Sequence, residues 1–521
     1  MNIWETSTEP DAGRSYDGSV SFESHLAVGL DRAVDRLASA APSAPPRDWM
    51  RALSEHFTEA RARYPDDELC LVFDIDGTIL DLRHLTVHVL LAYDRARGTR
   101  LFHGLVADDV VHHEDEIEAI LASLDVADDR RPDVAAFYRA HLWDPDAILA
   151  ASRPFEGVFG VIRWFQLQPR THVALNTGRP DGMRDLTLRS LNTIGRAYRV
   201  AFPPELLLTA AGGDVPQAKL AGLERLREAG YRVVAVIDNE PENLAAMARI
   251  DRAEEVLFLH ADTIFRSQRP HRARVVSGRD YRLRELVPPR TLPDRVQFVW
   301  HGVNDVVNLD RFLDSEVAWA EIDVRSDPFG RLVLRHDGFE EVPWSREEPL
   351  LTAEEALDRL VAAGRCVKLD LKEGGPTLAA AVELVRGLGL CDERLWFNAE
   401  LPAIGEEGFR SLRAGFPSST LSCPVDFLVP LVLAAAADQV LDLLRSWGID
   451  RLSVRWGPRA REVLDLLEQM GWRTNLYGVP DLESFLEASL LLPASVTADF
   501  NFPEWRYFGR GSGQRVAASV G

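Results

Sequence analysis

Short apolar runs recur along this chain at spacings that leave room for a helix between them, and that alternation restricts the fold to α/β architectures on parallel sheets. They fall into two blocks. Across residues 68–265 the runs "LCLVFDI", "THVALNT", "ELLLTA", "YRVVAVID" and "EVLFLH" read as buried strands. This predicts a doubly wound, Rossmann-like open parallel sheet. Within it, 82–151 is charged and helically patterned, which reads as an inserted cap. The second block, 296–505, carries "QFVWH", "VAWAEIDV", "RLVLRH", "CVKLDLK", "RLWFNAE", "TLSCP", "RLSVRW", "RTNLYGV" and "SVTADFNF". If "RLVLRH" is half of a hairpin hung on the strand before it, eight parallel strands remain, the number that closes a (β/α)8 TIM-type barrel.

Around these blocks lie a polar N-terminal segment with two helical patterns (1–67), a basic Pro/Gly-punctuated linker (266–295) and a glycine-rich tail expected to be disordered (506–521). A chain of 521 residues is too long for one core, so two large domains are expected. The net charge of −22 argues against nucleic acid or an anionic membrane as the main partner. With no basic-then-apolar leader and no long uncharged apolar run, the expectation is a cytoplasmic protein without a membrane span. Cys70, Cys366, Cys391 and Cys423 lack CxxC spacing and read as reduced core thiols.

The chemistry concentrates where acids stand two apart on a strand. In "LVFDIDGTIL" these are Asp74 and Asp76; in "WAEIDV" they are Glu321 and Asp323. Positions i and i+2 share a face, so each pair points one way and needs a positive partner. A carboxylate at the C-terminal end of a parallel strand also faces the crevice where such sheets bind ligands. Downstream, "HVALNTGRP" supplies Thr177, "VPQAKLAGL" Lys219, and "VVAVIDNEPENL" Asp238 and Glu242.

DxDGT followed by these three motifs in this order resembles the haloacid dehalogenase superfamily, over about 68–265. The resemblance implies a phosphomonoesterase with Asp74 as nucleophile and Asp76 as general acid/base. Thr177 and Lys219 would hold the phosphoryl oxygens and Thr78 would bind substrate. Asp74, Asp76, Asp238 and Glu242 would be the candidate ligands for Mg²⁺. The chain departs from the family pattern at Ile237, where glycine is common, and at Glu242, where a second aspartate is common. The cap run "VVHHEDEIEAIL" (His112, His113, Glu114) reads as a charged helix start rather than a ligand cluster.

In the second block, "VWHGVN" gives His301 and Asn304, the "RLVLRH" run ends in His336, "CVKLDLK" gives Asp370 and Lys372, and "LWFNAEL" gives Asn398. Together with Glu321 and Asp323 they resemble the barrels of glycerophosphodiester phosphodiesterases and sphingomyelinase D, and within them the menorin-type branch. The resemblance makes Glu321, Asp323 and Asp370 ligands for Mg²⁺ or Ca²⁺ and His301 with His336 the acid/base pair. Lys372 would neutralise a phosphate oxygen, and Asn304 and Asn398 would orient substrate. "HGVN" lacks the arginine of the commoner HRG form. The combined expectation is a Mg²⁺-dependent phosphatase fused to a phosphodiesterase-like barrel, acting on a small phosphorylated substrate. The two sites would act in sequence on a small phosphodiester, or the barrel would be a non-catalytic ligand-binding module. Neither the natural substrate nor the oligomeric state is written in the sequence.

Overall fold

The computed structural model describes residues 48–499 apart from 211, 251–254, 264–274, 289–290, 293–295 and 346–347. The helical pattern expected at 22–40 and the tail 506–521 lie outside the described residues. The first block forms a six-stranded parallel sheet of order β3-β2-β1-β4-β5-β6. Its strands are β1 (Leu69–Phe73), β2 (Thr171–Pro180), β3 (Leu207–Ala210), β4 (Arg232–Asp238), β5 (Leu257–Ala261) and β6 (Val275–Gly278). Alternation along β1 sends Leu69, Leu71 and Phe73 into one apolar cluster and Cys70 and Val72 into another, so both faces of the sheet are covered. The order in which strands are added reverses between the parallel neighbours β1 and β4, which opens a crevice at their C-terminal ends.

Four helices, Arg83–Arg97, Ile117–Ser123, Arg131–His141 and Pro145–Ala151, form the insertion between β1 and β2. Its two ends meet at the base, where Leu80 and Pro154 form an antiparallel bridge and Asp81 N donates to Arg153 O at 2.8 Å.

The stretch read as a linker is more ordered than expected. It supplies the sheet's sixth strand, β6, and the helix Leu283–Leu286. A half-buried four-residue edge strand has too little apolar periodicity to show in sequence. The helix Trp49–Arg63 seals it: a Cβ on Gly278 would lie 2.1 Å from the Trp49 ring, so only glycine fits, and Trp49 Nε1 donates to Asp280 O at 2.8 Å.

The second block closes into a parallel barrel in the order β7-β8-β10-β11-β12-β13-β14-β15 and back to β7. The strands are β7 (Gln297–Trp300), β8 (Trp319–Ser326), β10 (Cys366–Leu371), β11 (Leu395–Asn398), β12 (Thr420–Pro424), β13 (Arg451–Arg455), β14 (Arg473–Val479) and β15 (Ser495–Ala498). The hairpin strand β9 (Leu332–Leu334) pairs antiparallel with β8 alone, as the eight-strand reading requires.

Sheet and barrel share one continuous apolar cluster. Arg199 bridges them, pairing with Asp465 at 2.8 Å and Glu468 at 2.5 Å on the barrel. Three cysteines are buried and Cys391 is exposed, all as free thiols. Among the described residues no helix is long and apolar enough to cross a membrane.

Candidate functional sites

β1 runs straight into the first site. Gly77 takes φ +79°, a left-handed turn that L side chains resist, and it swings the chain away just after the two acids. Asp74 is left buried at the strand end, its N–H donating to Ile237 O of β4 at 2.9 Å. Lys219, from the helix Val215–Glu228, is 2 % exposed and sits between two carboxylates, 2.7 Å from Asp74 Oδ1 and 2.6 Å from Asp238 Oδ2. Burial raises the Asp74 carboxyl above its ordinary range; Lys219 opposes that rise, while Asp238 and Asp76 add to it. Thr78 Oγ1 lies 3.5 Å from Asp74 Oδ2, and the Asn239 amide, oriented with its nitrogen toward acceptors, donates to the same oxygen at 2.9 Å.

Asp76 is held differently. Arg179 Nε and Nη2 donate to its two oxygens at 2.7 and 2.6 Å, a bidentate clamp. Arg179 also donates to Thr187 Oγ1 at 3.2 Å, and its backbone N–H donates to Thr177 Oγ1 at 3.2 Å.

Asp74, Asp76, Thr177, Lys219 and Glu242 line one cavity of about 680 Å³, with Asp238 behind Lys219. Glu242 occupies an exposed helical position; Asn243, one residue on, donates to Asp238 Oδ1 at 3.2 Å. The cap closes this cavity with His113, Glu114, Asp115 and Trp143. The "HHED" run precedes the helix Ile117–Ser123, and His113, Glu114 and Asp115 bring ligand atoms within 4.8 Å of one another. Burial, with Asp76, Asp115 and Glu240 nearby, pushes the Glu114 carboxyl up to about 8.

In the barrel, strand register decides which charges meet. β8 and β10 pair Glu321 with Lys368 and Asp323 with Asp370. Ile322, Val324, Leu369 and Leu371 join the apolar core, which leaves the charged residues on the opposite, inward face. Lys368 Nζ lies 2.7 Å from Glu321 Oε1. Lys372 Nζ bridges Asp370 and Asp323, 2.9 Å from Asp323 Oδ1. Burial alone would lower Lys372, but Asp370 and Asp323 hold it well above the ordinary lysine range. An ammonium group thus lies between Asp323 and Asp370, two of the acids expected to share a divalent cation. Asn304 donates to Asp323 Oδ2 at 2.5 Å and Asn398 to Asp370 Oδ1 at 2.8 Å.

His301 Nδ1 lies 3.0 Å from Asp499 Oδ1, and its Nε2 is 3.6 Å from Glu321 Oε2. The hydrogen bond to Asp499 raises its pKa to about 9; burial opposes this, and Glu321 and Asp323 reinforce it. His336 is 66 % exposed and pairs with Asp337 at 2.7 Å. It shares a cavity of about 250 Å³ with Asp370 and Lys372, and His301 is not part of that lining.

Both sets offer carboxylate oxygens, the donor type a hard divalent cation takes, while the group whose ligand atoms lie within 4.8 Å of one another among the described residues is His113, Glu114 and Asp115 in the cap. In the first site Asp74 and Asp238 share a single lysine, so one positive charge faces two buried carboxylates. In the barrel, Glu321 Oε2 is buried without a hydrogen bond, and Asp323 Oδ1 lies near Lys372 but off-line for one. Arg179, Asn239, Asn243, Lys368 and Asp499 escaped the sequence reading. Each stands inside a run already singled out, yet only the fold shows its partner.

No family model matches the chain, and no curated protein matches it. Among solved structures, a glycerophosphodiester phosphodiesterase from Parabacteroides distasonis is similar over 40% of this chain and 94% of its own, at 17% identity and TM-score 0.32. An Oleispira antarctica phosphodiesterase in complex with sn-glycerol-3-phosphate is similar over 42% and 95%, at 18% identity and TM-score 0.32. A haloacid dehalogenase-like hydrolase from Bacteroides fragilis is similar over 41% and 99%, at 14% identity and TM-score 0.27. These likenesses assign no residue a role.

Proposed function

We propose that the chain is a phosphate-ester hydrolase: a haloacid-dehalogenase-type phosphomonoesterase (68–265, cap 82–151) joined to a phosphodiesterase-like barrel (296–505). The observation that carries this reading is convergence. Asp74, Thr177, Lys219 and Asp238 come from β1, β2, the helix Val215–Glu228 and β4 to one crevice at the strand ends. An Asp74 oxygen attacks phosphorus, the P–O bond to the alcohol breaks, and Asp76 gives the leaving oxygen a proton. Water then attacks the aspartyl phosphate, Asp76 takes its proton, and phosphate leaves with Asp74 restored. Lys219 offsets the charge that develops on the phosphoryl oxygens. For Asp76 to carry a proton Arg179 must release an oxygen, and the incoming phosphoryl group is its natural alternative partner. Mg²⁺ held by Asp74 and Asp238 would add positive charge to the phosphoryl oxygens.

In the barrel, His301 is the proton donor to the leaving oxygen, since Asp499 keeps it charged at neutral pH. His336 is its partner base, and Glu321, Asp323 and Asp370 would hold Mg²⁺ or Ca²⁺. A second reading, a barrel that binds a ligand without cleaving it, is favoured by one fact: Lys372 occupies the gap between Asp323 and Asp370.

Monoester and diester nitrophenyl reporters, assayed with Mg²⁺ and Ca²⁺, separate these readings. Asp74→Asn loses monoester release by about 1,000-fold or more and keeps diester cleavage. His301→Ala does the reverse. A wild-type protein that cleaves no diester with either metal leaves the barrel as a binding module.

A further inference from the structure

The cavity over Asp74 has two walls of unlike chemistry. On the core wall every lysine or arginine is committed, Lys219 to Asp74 and Asp238 and Arg179 to both oxygens of Asp76. The cap wall brings no lysine or arginine to the lining. Its Glu114 side chain is 13% exposed and lies 3.2 Å from His113 Nδ1, while His113 Nε2 is 3.7 Å from Glu240 Oε1 across the gap. With Asp115 Oδ2 3.7 Å from the same Nδ1, one imidazole faces three carboxylates. Beside them, Trp143 is 36% exposed, and the Arg179 guanidinium lies 5.5 Å from its ring centroid, so the ring is already placed as a platform for a cation.

A monoester bound for attack by Asp74 puts its phosphoryl group on the core wall and its alcohol against the cap. A carboxylate or second phosphate on that alcohol would be desolvated beside Glu114 and Glu240 with no uncommitted lysine or arginine in the lining, whereas a cation there draws the raised Glu114 carboxyl back into its ionised form. We infer that this site selects phosphomonoesters whose alcohol carries a positive charge, an amino alcohol or its quaternary ammonium analogue, with Glu114 as counter-ion and Trp143 as the stacking face. The inference rests on the phosphatase reading above. Movement of Arg179 from Asp76 to the phosphoryl oxygens would clear the Trp143 ring for the substrate.

The test compares kcat/KM for phosphoethanolamine, phosphocholine, glycerol 3-phosphate and 3-phosphoglycerate in Mg²⁺. The cationic esters should exceed glycerol 3-phosphate by about tenfold and 3-phosphoglycerate by about 100-fold, the scale of one desolvated charge pair made or opposed. Glu114→Gln should bring the cationic-to-neutral ratio close to one, and Glu114→Asp should restore part of it. Equal values across the wild-type panel, or a preference for 3-phosphoglycerate, overturn the inference. So does a Glu114→Gln variant that slows all esters alike and needs more Mg²⁺, which would mark His113, Glu114 and Asp115 as a metal seat. Calorimetric binding of phosphoethanolamine and glycerol 3-phosphate to Asp74→Asn protein reads the same preference without turnover. A wild type inactive on every monoester sinks the phosphatase reading, while the binding ratio still decides the substrate class.

Discussion

The sheet and the barrel solve one electrostatic problem with different lysines. Each collects carboxylates at strand ends, and in each an ammonium group sits between two of them. Lys219 comes from the side, on a helix, and is 2% exposed between Asp74 and Asp238. Lys372 comes from the strand's own end and is 17% exposed, with Asp370 at 14%. Deeper in the barrel, Lys368 resembles Lys219, at 2% exposure against Glu321. The contrast separates a buried counter-charge from a partly exposed one. Lys219 and Lys368 are sealed inside the fold, whereas Lys372 stands partly in reach of solvent.

Stability tests that contrast most directly, because removing one partner of a buried pair strands the other charge. Lys219→Met and Lys368→Met should each cost about 3–5 kcal/mol, and Lys372→Met about 1 kcal/mol, since water reaches Asp370. Urea denaturation of the three variants against wild type measures this. Equal losses in all three would erase the distinction.

The next effect concerns protonation, where the barrel holds a histidine raised well above its ordinary range. His301 has its pKa raised to about 9 by Asp499, Glu321 and Asp323, above the unfolded value of about 6.5. A group raised in this way stabilises the folded state fully below the unfolded pKa. That contribution fades as pH rises through about 9. In metal-free protein, the His301 ring protons followed by NMR should titrate near that value, and Asp499→Asn should move the midpoint down toward the ordinary histidine range. An unmoved midpoint would remove Asp499 from the site.

These residues also show what was legible in the sequence. Period-two alternation was enough to read eight barrel strands and to set "RLVLRH" aside as a hairpin, because the buried faces repeat. It was enough to put Glu321 with Asp323, and Asp370 with Lys372, on shared faces. Alternation names a face and not a partner, so the Glu321–Lys368 contact appears only with the β8–β10 register. Asp499 lies 198 residues from His301 along the chain, and no local pattern joins them. β6 was lost in a basic stretch because an edge strand buries little. The cap cluster looked like a helix start, as its position before Ile117–Ser123 allows, yet the fold turns it over Asp74.

The smallest predicted effect bears most directly on the barrel's chemistry. If Lys372 is an exchangeable counter-charge, a divalent cation entering among Glu321, Asp323 and Asp370 must first displace it, and part of the binding free energy goes into breaking two ion pairs. Lys372→Met removes that competition and leaves Asp323 and Asp370 repelling each other across paired strands. Mg²⁺ or Ca²⁺ affinity at the barrel, measured by calorimetry on an Asp74→Asn, Asp238→Asn background that silences the other site, should then rise by about tenfold, the equivalent of one partly solvated ion pair. Diester cleavage should fall in the same variant, since the lysine that yields its seat to the metal is then missing beside the phosphate. Unchanged or weaker cation binding would make Lys372 a permanent occupant like Lys219, and the barrel would then be a site that holds an anion by its lysines instead of cleaving it through a metal.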